Sequence, residues 1–467
     1  MASATRSSIA VLPFIDLSPE QNQEYFAEGM SEEILNLLAK SPELQVIART
    51  SSFSFKGSKA DIAEIAAKLN VAHVLEGSVR KDGSQLRITA QLIDASDSSH
   101  LWSETYDREL QDALAVQREI ATHVAQALKV TLAEHGTASP ATSTDPAAQE
   151  SYLRGRFFFT RRAPGDLALA QQSYEEALRI DAKHARAWAG LAGVYGAQMA
   201  ESGLPVERAV PLRLAALQKA LESDPNLSEA HVRMARHQYF VGNEKLGDEH
   251  ARRAYELDPD NPLVLDHLAT RLAWHDRMDE AMALMKRAVM LDPVSSIAHG
   301  NFASYLAAAG RYAESRAERL AQIELSPTAR PGAQADLMCL LILERRFEEA
   351  RAMIPRLEPG DVRDKLSAMV AHALGDTASA QAALAKFAAR PDASAALIVA
   401  EIYAQRDDRE QTFHWMAVTR QRVGPDPWSS RNWSESWSLR FSPFLRRFHD
   451  DPRWERVSRV SPHETGG

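Results

Sequence analysis

Cysteine is almost absent: Cys339 stands alone in 467 residues. One thiol excludes a disulfide framework, and it excludes a thiolate metal cage built from this chain alone. Long apolar runs are missing too. The run at residues 9–14 is far short of the roughly 20 residues that span a bilayer, and residues 1–8 lack the apolar stretch of a signal peptide. No membrane insertion is expected. As written the chain is expected in the cytoplasm; as a fragment of a longer membrane-anchored protein it would be periplasmic. Basic stripes are also lacking. Against a formal net charge of -9, the longest are Arg161-Arg162 and Arg345-Arg346, so no nucleic acid is expected among the partners. Catalytic motifs fail in turn. There is no His-Glu-x-x-His, no Gly-x-Gly-x-x-Gly, no Walker loop and no Gly-x-Ser-x-Gly elbow. The 15 histidines do not change this, since His231 and His237 lie six apart, on opposite sides of a helix. No catalytic residue, cofactor or metal ligand is assigned, and the chain is expected not to be an enzyme.

What is present is ordinary globular material, 45% hydrophobic and 25% charged, in two rhythms. Residues 8–134 mix strand and helix signals. Ile9-Ala10-Val11-Leu12-Pro13-Phe14 reads as a buried strand. Ser18, Pro19 and Gln21 suit a capped helix start, and residues 24–39 place Phe26, Met30, Ile34 and Leu38 on one stripe. Residues 44–48 read as a strand, and Asp61 with Glu64 as a capping box for a helix to Leu69. Strands at 72–80 and 85–93 flank Lys81-Asp82-Gly83-Ser84, a hairpin turn. A strand at 100–106 and a helix at 113–132 complete a small α/β layer of four or five strands. Small residues and a proline at 136–144 read as a linker. The expected domains are 1–134, a linker at 135–147 and a helical tract at 148–467.

The tract has a period. Asp224-Pro225, Asp258-Pro259, Asp292-Pro293 and Ser326-Pro327 follow one another at 34-residue steps, and Asp181 lies 43 before Asp224. Residues 200–206 supply the excess. Seven after each Asp stand Trp188, His231, Leu265 and His299; ten after stand Leu191, Met234, Leu268 and Phe302. Eleven after comes alanine each time, at 192, 235, 269 and 303, where the two helices of a unit must approach closest. Gly242 and Gly310 fall at inter-helix turns. A 34-residue helix-turn-helix period is the tetratricopeptide length, and it predicts an all-α superhelical solenoid after the α/β domain. The pattern loosens at 152–180, 347–350 and 376–387. Residues 401–420 read as one helix, and 441–454 as a terminal cap.

The amino-terminal phrases resemble a known family. Ser8-Ile9-Ala10-Val11-Leu12-Pro13-Phe14, Tyr25-Phe26-Ala27-Glu28-Gly29-Met30, Val46-Ile47-Ala48-Arg49-Thr50-Ser51-Ser52-Phe53, Val74-Leu75-Glu76-Gly77-Ser78-Val79-Arg80 and Leu86-Arg87-Ile88-Thr89-Ala90-Gln91-Leu92-Ile93 are similar to the TolB-amino-terminal-like domain of bacterial signalling proteins. His100-Leu101-Trp102 and Tyr106-Asp107-Arg108 complete the likeness. The resemblance implies a regulatory or assembly module. Members with trailing tetratricopeptide repeats often carry an adenylate cyclase or winged-helix output domain in front. Seven residues precede the strand here, so the expectation is a chain without that output domain.

Carrying the tetratricopeptide register across, the first helix of each unit lines a concave groove. The expected lining residues are Arg186, Glu229, Val232, Arg236, Tyr239 and Phe240, then Leu263, Asp266, Thr270, Trp274, Ile297 and Ser304. Tyr239, Phe240 and Trp274 would anchor a peptide, unless they pack between repeats instead. Arg49 and Lys56 frame a loop that could hold an anion, or that packs over the sheet through Phe53 and Phe55. The expected function is a non-enzymatic interaction scaffold binding a protein or peptide, with self-association left open. A sensory part of a cyclase or transcription-factor system is the alternative, and an enzyme with a pocket between the two domains the last.

Overall fold

The computed structural model describes residues 7–109, 112–131, 145–326, 331–423 and 438–458. Residues 135–144 of the expected linker, Leu132 at the expected helix end and Pro327 lie outside them. The described chain divides into two compact units. The first runs to Gln238 and includes Glu244–Arg271 and Arg287–Val294; the second takes Tyr239–Asn243, Leu272–Lys286 and the described residues from Ser295 onward.

The first unit opens with a mixed sheet of six strands, ordered β3-β1-β4-β5-β6 with β2 beside β4. β1 (Ser7–Val11) runs parallel to both β3 (Leu44–Val46) and β4 (His73–Asp82). β4, β5 (Gln85–Asp94) and β6 (His100–Glu109) form an antiparallel meander. The sixth strand is β2, the two residues Ile15–Asp16, too short to leave a sequence signature. Alternation in β5 holds: Leu86, Ile88, Ala90 and Leu92 are buried.

Helix α1 (Glu24–Leu38) carries its expected stripe, with Phe26, Met30, Ile34 and Leu38 in the core. Its start is corrected. Ser18 does not cap it; its hydroxyl accepts from the Lys81 backbone N–H at 3.0 Å, and Asp16 receives the N–H groups of Ser18 and Gln23 at 2.8 Å each. The capping residue is Gln23, whose side chain makes no capping bond and instead accepts from the Tyr25 hydroxyl at 3.1 Å. The five-residue α2 (Arg49–Phe53) follows β3. α3 (Ile62–Leu69) begins as expected, with Asp61 accepting from the Glu64 N–H at 2.8 Å. α4 (Ala113–Ala127) closes the layer.

Paired helices follow: α5 (Pro146–Arg161), α6 (Asp166–Ile180), α7 (Ala185–Glu201), α8 (Val206–Ser223), α9 (Ser228–Phe240), α10 (Glu244–Leu257), α11 (Pro262–Trp274), α12 (Met278–Leu291), α13 (Ser296–Ala308) and α14 (Tyr312–Leu325). The regular units alternate helices of 13 and 14 residues. α7 and α8 have 17 and 18, so most of the nine-residue excess lengthens helices instead of making a loop. The four alanines at closest approach are all 1% exposed or less. The second unit continues with α15 (Pro331–Leu343), α16 (Phe347–Met353), α17 (Asp361–Ala373), α18 (Thr377–Ala388), α19 (Ala393–Gln405) and α20 (Arg409–Val423). Residues 401–420 are therefore two helices, broken where Asp407 takes a φ of 62°. In the same unit Phe441, Phe444, Leu445 and Phe448 are buried in the terminal segment.

Two contacts fasten the α/β layer to the repeats within the first unit. At one, α1 meets α5. A side chain at Gly29 would lie 2.6 Å from Leu153, so only glycine permits this approach. At the other, α2 meets the turn after α12. The Ala48 N–H donates to the Leu291 carbonyl at 2.7 Å. The hydroxyls of Thr50 and Ser51 donate to the two oxygens of Asp292 at 2.6 and 2.5 Å, and the Val294 N–H donates to the Ser51 hydroxyl at 3.0 Å. Ser51 is fully buried and Asp292 nearly so. Asp292→Ala would strand both hydroxyls and is expected to destabilise the protein by about 2–4 kcal/mol in urea unfolding. Asp292→Asn, which keeps one acceptor, should recover part of that loss.

Candidate functional site

The site is built from the register of the first helices. Nine and twelve residues after each Asp, i and i+3 on one helical face, stand Gly190 and Gly193, then Arg233 and Arg236, then His267 and Thr270. Gly193 leaves room for its neighbour: a side chain there would sit 2.4 Å from the Arg233 guanidinium. Arg213 enters from α8. It passes Gly196 at 3.9 Å from where a Cβ would be, and donates to the Arg233 carbonyl at 3.3 Å.

The face is enclosed yet wet. Arg236 is exposed to solvent, while surrounding protein and Arg233 lower its pKa and Asp266 opposes them. Solvent thus reaches the side chain while neighbouring protein covers part of it. Burial, with Arg236 and Arg233 beside it, brings Arg213 down to about 10. Burial, with Arg236 and Arg213, brings His267 to about 3; burial and Arg213 bring His237 to about 4. Both imidazoles are neutral at pH 7. Burial pushes the Glu229 carboxyl up, but Arg233, Arg156 and Arg186 outweigh it and hold it at about 2. Glu229 pairs with Arg233 at 2.7 Å.

Charge pairs also join this face to α1. Arg186 meets Glu33 at 2.5 Å, and Arg156 meets Glu32 and donates to the Tyr152 hydroxyl at 3.1 Å. On the other side Arg49 meets Glu28 at 2.9 Å and Glu32 at 3.2 Å, and Lys56 meets Glu24 and Glu28 at 2.5 and 2.6 Å. The two cations of the loop considered for an anion thus face carboxylates. Arg49 also lies 4.2 Å over the Phe53 ring.

The expected groove residues divide between the two units. Arg186, Glu229, Val232, Arg236, Leu263, Asp266 and Thr270 belong to the first, and Tyr239, Phe240, Trp274, Ile297 and Ser304 to the second. Val232 is buried among Ala254 and Val264, as a packing residue. Arg186 is spent on Glu33, whereas Leu263 and Ile297 are exposed. Thr270 donates to the Asp266 carbonyl at 3.1 Å. Trp274 packs edge-on against Phe441, ring centres 5.2 Å apart, with Arg440 over both rings. Ser304 accepts from Arg319 at 3.1 Å, and Tyr239 and Phe240 are half-buried. Sequence reasoning missed Arg233, His267 and Arg213. The first two follow from extending the register by one position. Arg213 left no such signal, because it arrives from a second helix past a glycine.

Among the described residues no helix is long and apolar enough to cross a membrane, and no group of three His, Cys, Asp or Glu side chains could hold a metal ion. Residues 5–123 match the family described as the HilA/YgeH-like transcriptional regulator, second domain, about a quarter of the chain. Over 188 residues the chain is 40% identical to a Rhizobium meliloti (strain 1021) protein named "Putative adenylate cyclase 3"; the alignment takes in 40% of this chain and spans 32% of that relative's length. Among solved structures it is similar to Pseudomonas aeruginosa PilF, at 20% identity and TM-score 0.32 over 54% of this chain and 95% of that one. It is similar to YrrB, a tetratricopeptide protein described with an unusual peptide-binding site, at 19% and 0.31 over 46% and 98%. It is also similar to human IFIT1, at 13% and 0.36 over 66% and 78%.

The low Glu229 pKa has a consequence for stability. A carboxyl lowered by folding stabilises above its unfolded value near 4.5, and the contribution is lost as pH falls toward 2. Glu229→Gln is expected to cost about 1–2 kcal/mol at pH 7, allowing for its partial exposure. The gap between variant and wild type should close between these two pH values in acid unfolding followed by circular dichroism.

Proposed function

We propose that the chain is a non-enzymatic regulatory module that binds a protein or peptide on the inner face of α7, α9 and α11. The observation that supports this most is Arg236, reached by solvent and yet ringed by protein. A face of that kind, lined at regular helical spacing by side chains of mixed character, suits an extended or helical peptide. We read residues 1–134 as the TolB-amino-terminal-like domain, 135–147 as a linker and 148–467 as the tetratricopeptide tract. A ligand on the inner face would adjoin Glu229 and Arg186, and so the pairs that hold α1. Occupancy would in this way be felt by the α/β domain. A second reading, a regulatory part of an adenylate cyclase system, draws on the 40% identity to the Rhizobium meliloti relative.

Peptide display against the full chain tests the main reading. The wild type is expected to enrich a consistent set of sequences. Thr270→Trp, which fills the face, should weaken binding of the best of them by about tenfold or more. Arg179→Gln, on the outer surface of α6, should leave it unchanged. Recovery of the same peptides at equal yield from Thr270→Trp would place the binding surface elsewhere.

A further inference from the structure

The inner face holds more positive charge than it uses. Arg213 and Arg233 converge from α8 and α9, the Arg213 guanidinium 3.3 Å from the Arg233 carbonyl, and Arg236 lies one turn further along α9, beside the neutral imidazoles of His237 and His267. Glu229 is committed to Arg233 at 2.7 Å. Among the described residues neither Arg213 nor Arg236 has a carboxylate within ion-pair distance. Asp266 steadies Arg236 at longer range. Two enclosed arginines of the same unit are paired closely, Arg186 on Glu33 and Arg271 on Asp248 at 2.7 Å. Arg213 and Arg236 differ from these two in having no such close partner among the described residues. Holding two like charges together in a partly desolvated groove costs folding free energy and returns none.

We propose that this cluster receives the carboxylate side chains of an acidic peptide segment laid along the inner face. The proposal rests on the peptide-binding reading above and names the chemistry of its ligand. Guanidinium forks match carboxylates in shape as well as charge. A continuous phosphate track fits less well, because Glu229 and Asp266 interrupt the positive surface and the chain as a whole carries -9. The Phe159 ring backs the cluster, half-buried, with the Arg162 and Arg233 guanidiniums 4.3 and 5.6 Å from its centre.

The test uses the full chain and three fluorescein-labelled probes of equal length: an alternating Glu/Leu peptide, its Gln/Leu counterpart and a single-stranded RNA. The Glu/Leu peptide is expected to bind about tenfold tighter than the Gln/Leu peptide, and to weaken as salt is raised. Arg213→Gln/Arg236→Gln should remove that preference, whereas Arg179→Gln should not. The melting temperature of the double variant is expected to be unchanged or higher, since like-charge repulsion is relieved, and this separates lost binding from lost folding. Equal affinity for the two peptides overturns the charge preference while leaving a Thr270→Trp-sensitive peptide face standing. No binding of the Glu/Leu peptide overturns the proposal, as does binding that survives the double substitution. So does RNA binding that is tighter than the peptide's and depends on the same two arginines. If display also yields no enriched peptide, the broader reading fails with it.

Discussion

Three carboxylates on one helix govern the first unit. Glu28, Glu32 and Glu33 of α1 are each under 10% exposed, and an enclosed carboxylate is stable only beside a cation. Arg49 and Lys56 supply cations from the α/β layer itself, and Arg156 and Arg186 from the repeats. The helix is thus buried on its apolar stripe by the sheet and on its acidic stripe by arginines. Removing one partner of such a pair leaves a charge stranded, at about 3–5 kcal/mol. The layer and the first repeats accordingly fall in one compact unit.

That arrangement was only half legible. The apolar stripe of α1 is periodic and was read from Phe26, Met30, Ile34 and Leu38. The acidic stripe looks like any solvated helix face, because its cations lie far away in sequence; Arg186 is 153 residues from Glu33. Periodicity reports local geometry and says nothing of which distant charge will answer. The same limit explains Ser18, whose residue types suit a cap but whose hydroxyl is claimed by the Lys81 N–H across the sheet. The 34-residue step, the closely packed alanines and the hairpin at Gly83 were legible because each is set by contacts within one turn or one repeat.

The candidate face shows the converse. Its expected register follows from the spacing of the Asp turns, which puts Arg236, Asp266 and Thr270 among the expected lining residues. What the spacing could not supply was the balance of charge, which depends on Arg213 entering from α8 and on Glu229 being taken by Arg233. Trp274 illustrates a related point. An aromatic at a lining position is available to a ligand only if nothing in its own unit claims it, and Phe441 lies against that ring.

Asp292 serves two masters. As part of the repeat signature it recurs at the 34-residue step, and as an acceptor it holds Thr50 and Ser51. The array is therefore pinned at both ends of a measured stretch, by Arg156 and Arg186 at the start and by the 291–294 turn at the finish. Gaining or losing one unit inside that stretch would carry the acceptor a whole repeat away from its donors. Evolution by repeat duplication, the easiest change open to a solenoid, is thus restricted within the first half of this array.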